Sequence, residues 1–448
     1  MSILFFLIAL ALLILCGCAL AVMLLGKKNL ALALSLSLPL GSLINVLITA
    51  MYTFVGVPLN IFTLWGGLAA TCGVIFFAGK KMRSFPITEV HEPQLRMNVR
   101  WQIILRTFCC LLLGANLFYA FSHAVLLPSF QIDSLTNWTM RSQVSFTDEA
   151  IAFDRTEERG VAKPQYPFLF HALQITANQG QQTWNDSFAN TITFLLSHSS
   201  FAAAFLLLKK LTGTDAALLT LTLVLSIPLV GLHLAQGYAD IHLLGFGLLA
   251  LLSLAMALRT QSSSWFFINA LFIATCVWTK SEGLYAIFIP WALLLVWQWQ
   301  KNASRRKVFM QALALGAGLS AIYYILLLVK GLPLTPHASD AGLVWRPDAW
   351  MIAVQSLFTN GSFGLIWYVI VVLLIGLVRM VVRNDPRVDR LMLPLLFWGL
   401  LAFAATMFIY TFTPNVAFLL NAQSFYRQML VPAAMLMTGC LLIALRSD

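Results

Sequence analysis

Polar and charged positions are confined to short gaps between apolar runs of about 20 residues, the length at which a helix crosses a bilayer. The pattern predicts spans at roughly 3–25, 30–52, 58–78, 103–127, 187–208, 215–233, 241–258, 264–279, 283–299, 308–329, 358–378, 391–412 and 425–445. The expected fold class is therefore all-α: a polytopic transmembrane helix bundle of about 13 helices. The first span lacks a basic leading region and a small-residue cleavage site, so it reads as a retained helix.

The gaps divide the chain. The segment "KKMRSFPITEVHEPQLRMNVR" (Lys80 to Arg100) separates an N-terminal three-helix extension, 1–102, from the rest, 103–448. One large loop, 128–185, follows the fourth span, and smaller loops on the same side cover about 330–355 and 413–424. The large loop carries Asp133, Asp148, Glu149, Asp154, Glu157 and Glu158, and its piece "PFLFHALQI" reads as a short interfacial helix. Long loops in compact proteins commonly carry function.

Composition agrees. The chain of 448 residues is 60% hydrophobic and 10% charged, with a mean hydropathy of +0.84. A soluble chain would carry roughly twice that charge. The net charge of +11 invites a nucleic-acid reading, but its placement excludes one. With the N-terminus outside, the inner turns hold Lys27, Lys28, Lys80, Lys81, Arg83, Lys209, Lys210, Arg305, Arg306, Lys307, Arg379, Arg383, Arg387 and Arg390. That asymmetry is the positive-inside signal, and it puts the C-terminus in the cytoplasm. All seven cysteines fall in predicted spans without metal-type spacing and read as packing residues.

Charges placed against this trend are the candidates for chemistry. Asp133 follows the fourth span closely, with Trp138 and Arg141 after it at helical spacing. A carboxylate at the mouth of a wet cavity can act as general base or metal ligand, and "DSLT" can equally cap a helix. Lys163 and Tyr166 stand beside Pro164 and Pro167, which stiffen the backbone; a headgroup anchor is the bland alternative. Asp240, in "GYAD", opens a helix, where an acid also complements the helix dipole. His233 and His242 flank that tip as structural contacts. In "WTKSEG", Lys280 ends one helix and Glu282 begins the next, which lowers the cost of both charges. An outer lysine and Arg427, at the start of the last span, suit binding of a phosphate. Snorkelling is the plain alternative for Arg427.

These pieces, in this order, resemble the GT-C class of polytopic membrane glycosyltransferases, in particular the lipid A aminoarabinose transferase and protein mannosyltransferase group. The resemblance rests on "QIDSLTNW", "KPQYPFL", "GYAD", "TKSEG" and "YRQMLVPA", from Asp133 to the C-terminus. It departs in its loop, which follows the fourth helix where many members have it after the first, and in Gln165, where some relatives carry an acid. The resemblance implies inverting transfer from a polyprenyl-phosphate-linked sugar to a glycan, lipid or protein acceptor at the extracytoplasmic face of a bacterial inner membrane. Asp133 would be the base, with Lys163, Tyr166, Asp240, Lys280, Glu282 and Arg427 binding substrate. Some members use a divalent cation (Mg or Mn) and others none; Asp133, Asp154 and Asp240 are the candidate ligands. A transporter or lipid flippase, or an O-antigen ligase or polymerase, are the alternatives. Against the former stand the clustering of polar residues on one side and the lack of paired interrupted helices. Against the latter stands the early position of the loop.

Overall fold

The computed structural model describes residues 2–26, 29–81, 98–127, 129, 133–154, 163–334, 342–344, 346–420 and 424–444. Lys27, Lys28, Arg83, Glu157 and Glu158 lie outside the described residues. The described part is all-helical: α1 (Ser2–Leu25), α2 (Leu30–Val55), α3 (Ile61–Lys81), α4 (Val99–Ala124), α5 (Met140–Thr147), α6 (Leu169–Asn178), α7 (Asp186–Thr212), α8 (Thr214–Leu225), α9 (Pro228–Gln236), α10 (Ala239–Thr260), α11 (Ser263–Thr279), α12 (Ile289–Lys301), α13 (Arg306–Val329), α14 (Pro347–Thr359), α15 (Ile366–Val382), α16 (Leu393–Phe412), α17 (Val416–Leu420) and α18 (Phe425–Ala444). Among the described residues, ten helices are long and apolar enough to cross a membrane, and α11 and α15 are shorter apolar helices.

The predicted span 215–233 is broken: α8 and α9 meet at 74°. Pro228 explains the break, because it has no amide hydrogen to continue α8 and instead sits at the first position of α9. The bundle is built around α10, which is buried from Ala239 to Leu258 and packs on α7, α11 and α18. Lipid tails are as apolar as leucine, so contact between spans depends on close packing. The α1–α2 pair shows this: a Cβ on Gly17 would stand 1.7 Å from the Ser37 carbonyl oxygen, and one on Gly41 would stand 2.1 Å from that of Leu13. The N-terminal helices are not detached, since α2 packs against α6, α7, α11 and α13.

The loop piece expected along the membrane surface is instead inside. Every residue of α6 is buried, against α1, α2, α5, α7 and α11. Two of its polar side chains find partners there: Thr176 donates to Asn45 Oδ1 at 3.0 Å, and His171 pairs with Ser142 at 2.8 Å, whereas both polar atoms of the Gln174 side chain are buried without a partner among the described residues. The N-terminal end of α1 lies at the loop's end of the bundle, where Gln181 reaches the Ser2 carbonyl at 3.0 Å. The α2–α3 turn does too, through Leu59 N to the Glu149 carbonyl at 2.6 Å. At the opposite end, Arg106 pairs with Asp215 at 2.6 Å and Arg259 with Asp389 at 2.5 Å.

Candidate active site

Two irregular turns position the chemistry. One π-helical segment, Ser134–Thr139, follows Asp133, and the other, Gly283–Phe288, follows Glu282. Single π turns inside helices recur at functional sites. Asp133 makes no side-chain cap to its helix. Its carboxylate instead accepts from Asn137 Nδ2 through Oδ1 and pairs with Arg427 Nη1 through Oδ2. The cap reading of "DSLT" is thus set aside. Asn137, four residues on, shares a helix face with Asp133, which brings its amide to the carboxylate.

The stretch "WTKSEG" folds as a sharp reversal. Lys280 leaves α11 in extended backbone (φ −158°, ψ 149°), and its amide donates to the Cys276 carbonyl at 3.2 Å. Gly283 lies so close to α11 that a Cβ there would stand 2.1 Å from the Cys276 oxygen. The reversal delivers Lys280 and Glu282 into the bundle, not to its rim. Lys280 Nζ lies 2.7 Å from Asp240 Oδ1 and 2.9 Å from Glu282 Oε1, with all three side chains under 10% accessible. Asp240 lies in the first turn of α10, as the dipole reading expects, and in addition its Oδ1 is paired with Lys280. Lys280 does not stand free to meet an anion, as the sequence suggests; two carboxylates hold it.

Further residues complete the cluster. Gln428 Nε2 donates to Glu282 Oε1 at 2.5 Å, and Tyr285 OH donates to Gln428 Oε1. Arg427 lies over the Tyr238 ring at 5.5 Å, and His233 stacks on Tyr238 at 4.7 Å. Asp133, Asp240, Glu282, Lys280 and Arg427 thus converge from four parts of the chain. Among the described residues, Asp240 Oδ2, His233 Nδ1 and Arg427 Nε are buried there without a hydrogen-bond partner. Leaving such atoms unpaired costs about 1–3 kcal/mol each, so the cluster can take up further hydrogen-bond partners.

Tyr166 flanks the site. It stacks on Trp138 at 5.6 Å and 8°, and Lys163 Nζ lies 5.6 Å from its ring. Burial and then the Glu282 charge raise its phenol pKa, which keeps the hydroxyl protonated at neutral pH. Arg141 is fully buried and ties the loop together, donating to the Tyr166 carbonyl at 2.7 Å and the Ala152 carbonyl at 3.0 Å. Desolvation brings its pKa down to about 10, which still leaves it charged at neutral pH.

Among the described residues the donor set does not fit a divalent cation. Among the described residues no group of three or more His, Cys, Asp or Glu is arranged around a common point. Asp154 stays exposed on the loop after α5. Arg427 and Lys280 already neutralise Asp133 and Asp240, the remaining candidate ligands.

Of the expected site residues, the structure brings Asp133, Asp240, Lys280, Glu282 and Arg427 into one cluster, with Tyr166 and Lys163 at its side. Sequence reasoning missed Asn137, Gln428 and Tyr285. Gln428 had a readable signal, a second polar residue beside Arg427 in an otherwise apolar helix.

No family model matches the chain, and no curated protein does. Among solved structures, it is similar to ArnT from Cupriavidus metallidurans in the apo state, with a TM-score of 0.53 and 13% identity. The match covers 75% of this chain and 60% of that one. The fold is similar to that of ArnT. At that identity the likeness speaks for architecture alone, and the chain spans 60% of the length of that protein.

Proposed function

We propose that the chain is an inverting glycosyltransferase that moves a sugar from a polyprenyl-phosphate-linked donor to an acceptor hydroxyl at the extracytoplasmic face of a bacterial inner membrane. The observation that carries this reading is the set of partnerless polar atoms among paired charges, in a GT-C-like fold. Arg427 Nε calls for an acceptor and Asp240 Oδ2 for a donor; a sugar phosphate offers both, a phosphate oxygen and sugar hydroxyls.

In the reaction the acceptor oxygen attacks the anomeric carbon and its proton passes to Asp133. The bond from that carbon to the phosphate oxygen breaks, and the electron pair leaves with the lipid phosphate. Arg427 stabilises that charge as it develops. Lys280 holds Asp240 and Glu282 in place to receive sugar hydroxyls, while Gln428 and Tyr285 fix Glu282 from the other side. Tyr166, backed by Trp138, offers a ring face to the sugar, and Lys163 adds positive potential at the entrance.

The test is direct. Purified protein in nanodiscs is incubated with a panel of polyprenyl-phosphate sugars, and free lipid phosphate is followed with time. Release that depends on one donor supports the reading. Intact donor throughout, with transport of lipid across the same membranes, turns it towards a flippase.

A further inference from the structure

A second polar recess lies on the far side of α10 from the charged cluster. Asp240 and His242 stand two residues apart on that helix, about 200° around its axis, so cluster and recess flank the same first turn. The recess is walled by the end of α4, the start of α7, the end of α9 and the start of α10. Its floor is buried: Thr193 and Ser197 are each 3% accessible and His242 is 1%. Ser129 and Gln236, both half-buried, stand at its rim. Among the described residues no carboxylate, lysine or arginine lines it. The free space is about 10 Å³, enough for one water-sized group. His242 Nδ1 pairs with Ser197 Oγ at 3.2 Å, while Nε2 is buried without a partner among the described residues. If Nδ1 carries the proton, Nε2 needs a donor; if Nε2 carries it, Nε2 needs an acceptor. A cation meets only the first need and an anion only the second. A hydroxyl meets both.

We propose that this recess is a binding notch for one hydroxyl of a polyol, either a sugar or the glycerol headgroup of a lipid, with His242 as the residue that recognises it. The size of the free space admits a single hydroxyl, so the rest of the ligand lies across the rim. An uncharged wall gives a phosphate nothing to pair with, so the notch does not duplicate the cluster around Arg427. The Ser197 hydroxyl sits one turn above the Thr193 carbonyl, 3.1 Å away, and holds the imidazole ring from behind. Recognition therefore rests on a ring that packing and one hydrogen bond already fix, and the ring is edge-on to Phe170 at a centroid distance of 5.4 Å and a tilt of 50°. The site is separate from the proposed donor site and stands or falls without it.

The notch is tested by binding, without turnover. Wild type, His242→Asn, His242→Phe and Arg427→Gln in phosphatidylcholine nanodiscs are titrated with methyl glucoside, with dihexanoyl phosphatidylglycerol and with dihexanoyl phosphatidylcholine, whose headgroup carries no hydroxyl. Saturation-transfer NMR reads each affinity. Asparagine keeps an amide near the Nδ1 position for Ser197 and removes Nε2; phenylalanine keeps the ring and removes both nitrogens. Both His242 variants should bind a hydroxyl probe roughly three- to tenfold more weakly than wild type, the worth of one neutral hydrogen bond. Arg427→Gln should bind it as wild type does, and the phosphatidylcholine should not distinguish the four proteins. Weakening with the glucoside alone assigns the notch to a sugar, weakening with the phosphatidylglycerol alone to a lipid headgroup, and weakening with both to polyols in general. Equal affinity of wild type and both His242 variants for every probe, or no binding by wild type, overturns the notch and leaves a recess that holds water only. Equal weakening in Arg427→Gln also overturns it, by moving the hydroxyl to the charged cluster.

Discussion

Replacing Lys280 by methionine removes the cation from two carboxylates while keeping most of the side-chain volume. Glu282 retains Gln428 at 2.5 Å and Ser281 at 3.2 Å. Asp240 does not fare so well: Lys280 is the hydrogen-bond partner of Oδ1, and Oδ2 has none among the described residues. The penalty therefore falls on one carboxylate that is 3% accessible. Removing one member of a buried pair costs about 3–5 kcal/mol, because a charge is left without compensation. A lysine that only complemented the end of α11 would cost at most about 1 kcal/mol. The assay is reversible unfolding in a defined detergent, on Lys280→Met, Asp240→Asn and the double variant. The double variant carries no stranded charge at Asp240 and should recover at least about 2 kcal/mol of the single loss. A Lys280→Met cost below about 1 kcal/mol, with no recovery in the double variant, refutes the pairing argument.

Three further outcomes are expected. Gly283→Ala must push α11 away from the reversal, so it should lower the unfolding temperature and slow donor turnover together; a neutral variant contradicts the close approach at Cys276. Burial, and then the Arg141 charge, hold the His171 pKa well below its ordinary value, so the unfolded chain takes up that proton first and stability falls as pH drops through about 6.5. His171→Asn should flatten that slope between about pH 7 and 5 in thermal unfolding, and an unchanged slope moves the effect to another group. Cysteines placed at Leu135 and Ser281 should react with an impermeant maleimide from outside intact cells, and one at Asn302 only after permeabilisation; labelling of 135 and 281 from opposite sides would split the site.

The spans and their order were legible because a bilayer imposes one length and one composition on a helix, and α10, α16 and α18 follow their apolar runs closely. The broken span was legible only in hindsight from Pro228, since hydropathy averages over a bend. The placement of α6 was misread for a physical reason. Its apolar and polar residues suit an interface, and only the tertiary partners Asn45 and Ser142 reveal that it is buried. At the site, the charges Asp133, Asp240, Lys280, Glu282 and Arg427 stood out one by one against an apolar background. Their pairing did not, because Asp133 and Arg427 lie 294 residues apart in sequence. The two π turns leave no mark in hydrophobic periodicity.

The central claim is that Asp133 takes the proton of an acceptor whose attack expels a lipid phosphate from Arg427. The most direct measurement is single-turnover release of lipid phosphate from the donor identified in the panel, with wild type compared against Asp133→Asn at saturating donor. The account predicts a loss of roughly 10²–10⁴-fold in rate, with donor still bound and the unfolding temperature held within a few degrees. Release by Asp133→Asn at the wild-type rate would contradict it.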